Sequence, residues 1–219
     1  MADYKYGMNL IRVSNTTAWS SLVPDVIKEF NMPMQNPTKK YPGVITVGSS
    51  WNITDPGGPV FTTSRLFESL EEVEEYNHAT MNQNKERIEL VNSIHERCLS
   101  FTFRLSKILI NGEYKGSGKP GVLSRNIFKA RVGKIDEVIR FLTSYVESLP
   151  SDASIPQVSE VTYGSIGVLR LITPYENNIE AELGYEKSRS SWESPEVQKA
   201  SESIESMVRS VSRILDTNL

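Results

Sequence analysis

The sequence is poor in the residues that most often announce a chemistry. Among 219 residues there is one cysteine, Cys98, and there are two histidines, His78 and His95. A single thiol excludes an internal disulfide framework and fits a reducing compartment. His95 and Cys98 are three apart, on one helix face, but a structural zinc site wants more ligands than these residues supply, so no metal is expected. No apolar run approaches the roughly 18 residues of a membrane span. The Met1-Ala2-Asp3-Tyr4 start lacks the basic and apolar regions of a signal peptide and is no myristoylation site, so a cytoplasmic location without membrane contact is the expectation. A basic excess is missing too. With 24 Lys and Arg against 27 Asp and Glu, the formal charge is −3 and no basic block stands out, so nucleic acid is not an expected partner. Walker A, Gly-x-Gly-x-x-Gly, His-Glu-x-x-His and Gly-x-Ser-x-Gly sequences are absent. Nucleotide hydrolysis, dinucleotide-dependent redox chemistry, zincin and α/β-hydrolase chemistry therefore lack their usual signatures.

What is present is an ordinary globular composition, 38% hydrophobic and 23% charged, laid out in clear periods. Tyr6 to Val13 is a strand with few polar residues on either face. Trp19, Leu22, Val23, Val26, Ile27 and Phe30 fall at helical spacing, and Pro24 favours a helix that starts close to it. The proline-rich stretch from Asn31 to Gly43 is a loop. The stretch from Gly43 to Asn77 then reads as strand Val44 to Ile53, an Asp55-Pro56-Gly57-Gly58 turn, strand Val60 to Phe67, and a helix opened by the Ser69-Leu70-Glu71-Glu72 capping box. Acidic residues at the start of that helix and basic ones near its end suit its dipole, and the polar patch Asn77 to Asn84 divides it in two. Leu99 to Ile110 alternates as a strand.

The second half echoes the first. Thr46-Val47-Gly48-Ser49 and Thr162-Tyr163-Gly164-Ser165 share Thr-x-Gly-Ser 116 residues apart, and the same offset carries the first helix stripe onto Ile135, Val138, Ile139, Leu142 and Val146. The second copy then reads as strand Asn126 to Val132, helix Ile135 to Leu149, strands Ser159 to Ile172 and Ile179 to Glu186, helix Pro195 to about Ser206, and a strand near Val208 to Leu215. The division is a first repeat over 1–111, a glycine-rich linker over 112–125 and a second repeat over 126–219.

Two β-α-β-β-α-β units make two ferredoxin-like sandwiches. The Phe-Glu-Ser-Leu-Glu-Glu-Val-Glu-Glu-Tyr junction from Phe67 to Tyr76 resembles that of the dimeric α+β barrel superfamily. The resemblance implies an α+β fold: two tandem ferredoxin-like units in one chain whose antiparallel sheets pack face to face as an α+β barrel. It implies a range of activities, because the superfamily includes cofactor-free monooxygenases acting on aromatic polyketides, haem enzymes such as chlorite dismutases and dye-decolourising peroxidases, and small isomerases and lactonases. The Gly-x-x-Asp-Gly haem motif of the peroxidases is not present.

Pockets in such folds tend to lie between sheet and helices. Asn9 is a candidate catalytic residue that could orient a carbonyl or phenol, or else a buried amide bonded to backbone. His78 could act as a base or an axial ligand, or else face solvent. Trp19, Trp51 and His95 are the candidate substrate-binding residues. Trp51 aligns with Gly167, and only the first half carries histidine, so the first half is the expected seat of chemistry. The leading expectation is a binder of a small apolar or aromatic molecule, as a monooxygenase or isomerase without cofactor. The alternatives are a haem enzyme with a helix histidine as ligand and a non-enzymatic structural module. A homo-oligomer is compatible with all three.

Overall fold

The structure, a computed structural model, describes residues 3–33, 41–48, 58–189 and 194–218. Its first seven elements are β1 (Tyr6–Ser14), α1 (Trp19–Asn31), β2 (Gly43–Gly48), β3 (Val60–Phe67), α2 (Leu70–Met81), α3 (Lys85–Glu96) and β4 (Cys98–Ile110). The remaining seven are β5 (Val122–Ala130), α4 (Ile135–Glu147), β6 (Gln157–Tyr163), β7 (Val168–Tyr175), α5 (Asn178–Arg189), α6 (Pro195–Ser201) and β8 (Ile204–Thr217). The strands hydrogen-bond in the closed barrel order β1-β3-β2-β8-β5-β7-β6-β4, so the fold is α+β. Two compact units divide the chain, Met1–Leu105 with Ile214–Leu219, and Ser106–Arg213. No helix among the described residues is long and apolar enough to cross a membrane.

In the first unit β3 pairs antiparallel with both β1 and β2. Even residues of β1 face the helices: Met8 packs with Val73 of α2, and Arg12 reaches Glu29 of α1. Leu22, Val26 and Phe30 of α1 lie on Ile45, Phe61 and Ile94, as the helical spacing requires. Pro24 sits inside α1 rather than at its start. The hydrogen bond that Pro24 cannot donate would have gone to the carbonyl of Ser20, an exposed residue, where water can take its place. The Ser69 box is formed as expected: Ser69 Oγ accepts from the Glu72 amide at 3.3 Å while Glu72 Oε2 accepts from the Glu68 amide at 2.8 Å. The helix does divide in two, with Asn84 capping α3 by accepting from the Arg87 amide at 2.9 Å. Of the expected strand Val44 to Ile53, the structure shows Gly43–Gly48; the rest, with the Asp55 to Gly57 part of the turn, lies outside the described residues.

In the second unit β7 pairs with β5 and β6, and β5 with β8, all antiparallel. Phe128, Ala130, Leu169, Leu171 and Val158 of the sheet pack on Val138 and Leu142 of α4. The opposite face carries the buried Arg125 and Arg170; burial brings the Arg125 guanidinium down to about 10. Two expectations need correction. β5 begins at Val122, inside the stretch read as linker, and the expected strand Ile179 to Glu186 is the helix α5. The two middle strands of this half, β6 and β7, instead lie within 157–175 and turn at Gly164 to Gly167. Ile179, Ala181, Leu183 and Tyr185 alternate like a strand, but the start of α5 is fixed by a second capping pair. Asn177 Oδ1 accepts from the Glu180 amide at 3.0 Å, and Glu180 Oε2 accepts from the Glu176 amide at 3.2 Å.

Arg12–Glu29 is a buried ion pair of the first unit, with Arg12 Nη2 donating to both carboxylate oxygens at 2.7 and 2.9 Å. Lys28–Glu86, at 3.1 Å, is exposed. Glu29→Ala should cost about 3 kcal/mol or more in urea unfolding, because it strands a buried guanidinium. Lys28→Ala should stay within about 1 kcal/mol of wild type. Equal costs would contradict this account of the pair.

Candidate functional site

The second unit holds a cavity of about 360 Å³ between its sheet and its helices. Phe128 and Leu171 of the sheet form its floor, with Ile204 and Met207 from the start of β8. Phe141, Leu142 and Tyr145 of α4 form one wall because they are spaced to fall on the buried side of that helix. Tyr185 and Ser188 of α5 and Val197 and Ser201 of α6 complete the roof. The start of α6 is set by Ser194, whose Oγ accepts from the Val197 amide at 3.3 Å ahead of Pro195 in the first turn.

The roof is held by charge more than by apolar burial. α5 buries only Ala181 among its residues. Arg209 of β8 lies 4.3 Å from the centre of the Tyr185 ring, donates to Glu182 Oε1 at 2.9 Å and donates to the Ala181 carbonyl at 3.0 Å. One guanidinium thus grips three residues of one helix turn. Polar groups are few in the cavity wall. Ser188 Oγ already donates to the Tyr185 carbonyl at 2.8 Å, and Ser201 Oγ to the Gln198 carbonyl at 2.6 Å. Asn126, Tyr145, Glu205 and Ser206 also line it and can orient a ligand. Burial, reinforced by the neighbouring Tyr175, raises the Tyr145 phenol above its ordinary value, so its oxygen stays protonated and can donate.

A second cavity, of about 510 Å³, shares Tyr145 and Ser188 with the first. Thr173 and Tyr175 of β7, Gly184 and Lys187 of α5 and the 149–156 connection enclose it. Gly184 is explained by Tyr175. A Cβ at Gly184 would lie 2.5 Å from the Tyr175 hydroxyl oxygen, so only glycine lets that ring lie against α5.

The residues singled out from sequence sit elsewhere. Asn9 faces away from the helices of the first unit and accepts a hydrogen bond from Ser64 Oγ at 2.7 Å, directly across β3. Trp19 opens α1 and is 42% exposed. His78 is exposed on α2. His95 on α3 stacks on Phe101 with ring centres 4.4 Å apart, and its Nε2 is buried without a partner among the described residues. Burial, with the Arg12 charge as the lesser cause, holds its imidazole below the usual range. Trp51 lies outside the described residues. Its aligned position, Gly167, is part of the β6–β7 turn with φ at 75°, a backbone requirement rather than a space left for a ligand. Asn9, Trp19, His78 and His95 line neither cavity. The linings are instead mostly apolar, aromatic and hydroxyl side chains, with Asn126 and Glu205 in the first and Asp152 and Lys187 in the second.

No family model and no curated protein matches the chain. Solved structures do. A provisionally named monooxygenase of Fusobacterium nucleatum subsp. nucleatum aligns over 100% of this chain and 95% of its own, with a TM-score of 0.71 at 8% identity. An anthrone oxidase-like protein aligns over 99% and 93%, with a TM-score of 0.65 at 11% identity. A chlorite dismutase of Candidatus Nitrospira defluvii, solved with cyanide, aligns over 97% and 92%, with a TM-score of 0.55 at 9% identity. At such identities the likeness shows the fold, an eight-stranded α+β barrel.

The contact between Gly184 and Tyr175 gives a direct check. Gly184→Ala should destabilise the protein by about 1–3 kcal/mol in thermal or urea unfolding, despite the better helix propensity of alanine. A stabilised Gly184→Ala protein would contradict the close packing of Tyr175 on α5.

Proposed function

We propose that the cavity roofed by α4, α5 and α6 binds a small, largely apolar or aromatic molecule, and that the protein acts on it as an oxygenase or isomerase without a bound cofactor. The observation that carries this reading is the cavity itself: about 360 Å³, walled mainly by apolar and aromatic side chains with a protonated phenol among them. Tyr145 is suited to hydrogen-bond a ligand oxygen and to stabilise negative charge as it develops there. Glu205 supplies a carboxylate in the same wall as a candidate proton acceptor. For an anthrone-type substrate the balance is one ring CH2 and one O2 giving a ring C=O and one H2O, so oxygen is the sole oxidant required. The likeness in fold to proteins named as monooxygenase and anthrone oxidase-like supports this class of reaction.

The tandem reading draws support from the element order β-α-β-β-α-α-β, which both halves follow. The sheet order supports it as well, since β4, β1, β3, β2 are followed around the barrel by β8, β5, β7, β6. The structural-module alternative expected a filled interior, and the cavity counts against it. The haem alternative draws support from the fold shared with the chlorite dismutase, while no histidine or cysteine is among the described residues that line these two cavities.

Calorimetric titration with 1-naphthol should show one saturable site, weakened at least tenfold by Val197→Trp, which fills the chamber. Hemin added to the same protein should give no stoichiometric Soret shift. Absence of naphthol binding, or affinity untouched by Val197→Trp, would contradict the reading.

A further inference from the structure

The pairing of β5 with β8 is regular until its last step. Asn126 stands across from Arg209, Phe128 from Met207 and Lys129 from Ser206, but Ala130 stands across from Ile204. Glu205 is the residue left over. A bulge of this kind bends its strand and re-aims a side chain, and here the Glu205 side chain is among those that line the first cavity.

The same register orders the polar groups along the cavity floor. On β8, Glu205 lies four residues from Arg209, the partner of Asn126, which is about 13 Å of strand. Tyr145 belongs to the Asn126 end. α4 starts just after β5 ends and runs back over it, so its late residues lie above the start of that strand. Thr173 and Tyr175, which line the second cavity together with Tyr145, stand across from Ser124 and Val122 of β5. Glu205 belongs to the other end, where the Arg131 amide donates to the Ser203 carbonyl at 2.9 Å. Between the two ends the floor is apolar, with Phe128 and Met207 side by side.

The two ends offer opposite chemistry to a ligand. The Asn126 amide and the Tyr145 phenol, which burial keeps protonated, both donate, whereas the Glu205 carboxylate accepts. We propose that the first cavity selects a flat two-ring ligand with a carbonyl oxygen at one end, received by Asn126 and Tyr145, and a hydroxyl at the other, donated to Glu205. The inference rests on the reading of this cavity as a ligand site and narrows it to aromatic keto-phenols. Two hydrogen bonds of about 2.8 Å, taken from about 13 Å, leave roughly 7–8 Å between the ligand oxygens, a distance that two fused rings span. A hydroxyl conjugated through the rings to that carbonyl feeds electron density to the oxygen held by Tyr145, where a hydrogen bond stabilises it.

The test titrates three naphthalenes by calorimetry: 6-hydroxy-2-acetonaphthone, with both groups; 6-ethyl-2-naphthol, without the ketone; and 2-acetonaphthone, without the hydroxyl. Wild type should bind the first at least tenfold tighter than either of the others, because each loss leaves one end of the site unanswered. Tyr145→Phe and Asn126→Leu should each shrink the preference over 6-ethyl-2-naphthol at least threefold and leave the preference over 2-acetonaphthone unchanged. Glu205→Leu, at an exposed position, should do the reverse. Melting curves establish that each variant is folded, and Tyr145→Phe, which removes one oxygen, keeps the ketone end testable if Asn126→Leu does not fold. Equal affinity for all three compounds in wild type, or preferences that no variant alters selectively, overturns the two-ended inference and leaves the apolar site standing. If none of the three binds, the reading of the first cavity falls with it.

Discussion

The candidate cavity depends on how Arg209 holds α5. A helix that buries a single alanine has too little apolar contact to press itself onto a sheet. Arg209 fixes it by its polar and aromatic groups instead, through Ala181, Glu182 and Tyr185 on one turn. A guanidinium is long and planar, so it ties the helix down at a distance that a leucine contact would not permit. The space left between α5 and the floor of Phe128 and Leu171 is the cavity. Gly184 works in the same direction on the other flank, where it lets the Tyr175 ring lie against the helix and bound the second space.

The first unit spends the corresponding layer differently. Arg65 lies 3.9 Å from the centre of the Phe30 ring and donates to the carbonyls of Phe30 and Tyr41. Tyr41, Phe67 and Tyr76 pack with ring centres 5.2 to 5.4 Å apart. The Arg12–Glu29 pair adds a buried ion pair to the same unit. Similar element orders therefore carry different side chains between sheet and helices in the two units. The difference lies in side chains rather than in topology.

Much of the fold was legible because it is written in local signals. The helical stripe of α1, the Ser69 box and the strand period of β3 each name their own structure, and the Thr-x-Gly-Ser pair marks the ends of β2 and β6. α5 was misread because its apolar residues alternate, while the deciding signal was the Asn177-x-x-Glu180 pair, a twin of Ser69-x-x-Glu72. Pro24 misled in the opposite sense, since an exposed helix face tolerates the missing donor. The candidate cavity was not legible in the same way. His78, His95 and the tryptophans drew attention as rare residues, whereas the cavity is made of common ones and arises from the spacing of elements distant in sequence. Only the glycine at position 184, inside a helix, hinted that something presses against it.

The central claim is that this chamber receives a small aromatic molecule. Methyl NMR during titration with 1-naphthol tests it most directly, because it reports location as well as binding. Leu142, Leu171, Val197 and Met207 methyls should shift together and saturate at one equivalent, while Leu22 and Val26 in the core of the first unit stay in place. Shifts confined to the first unit, or spread over exposed methyls without saturation, would contradict the account.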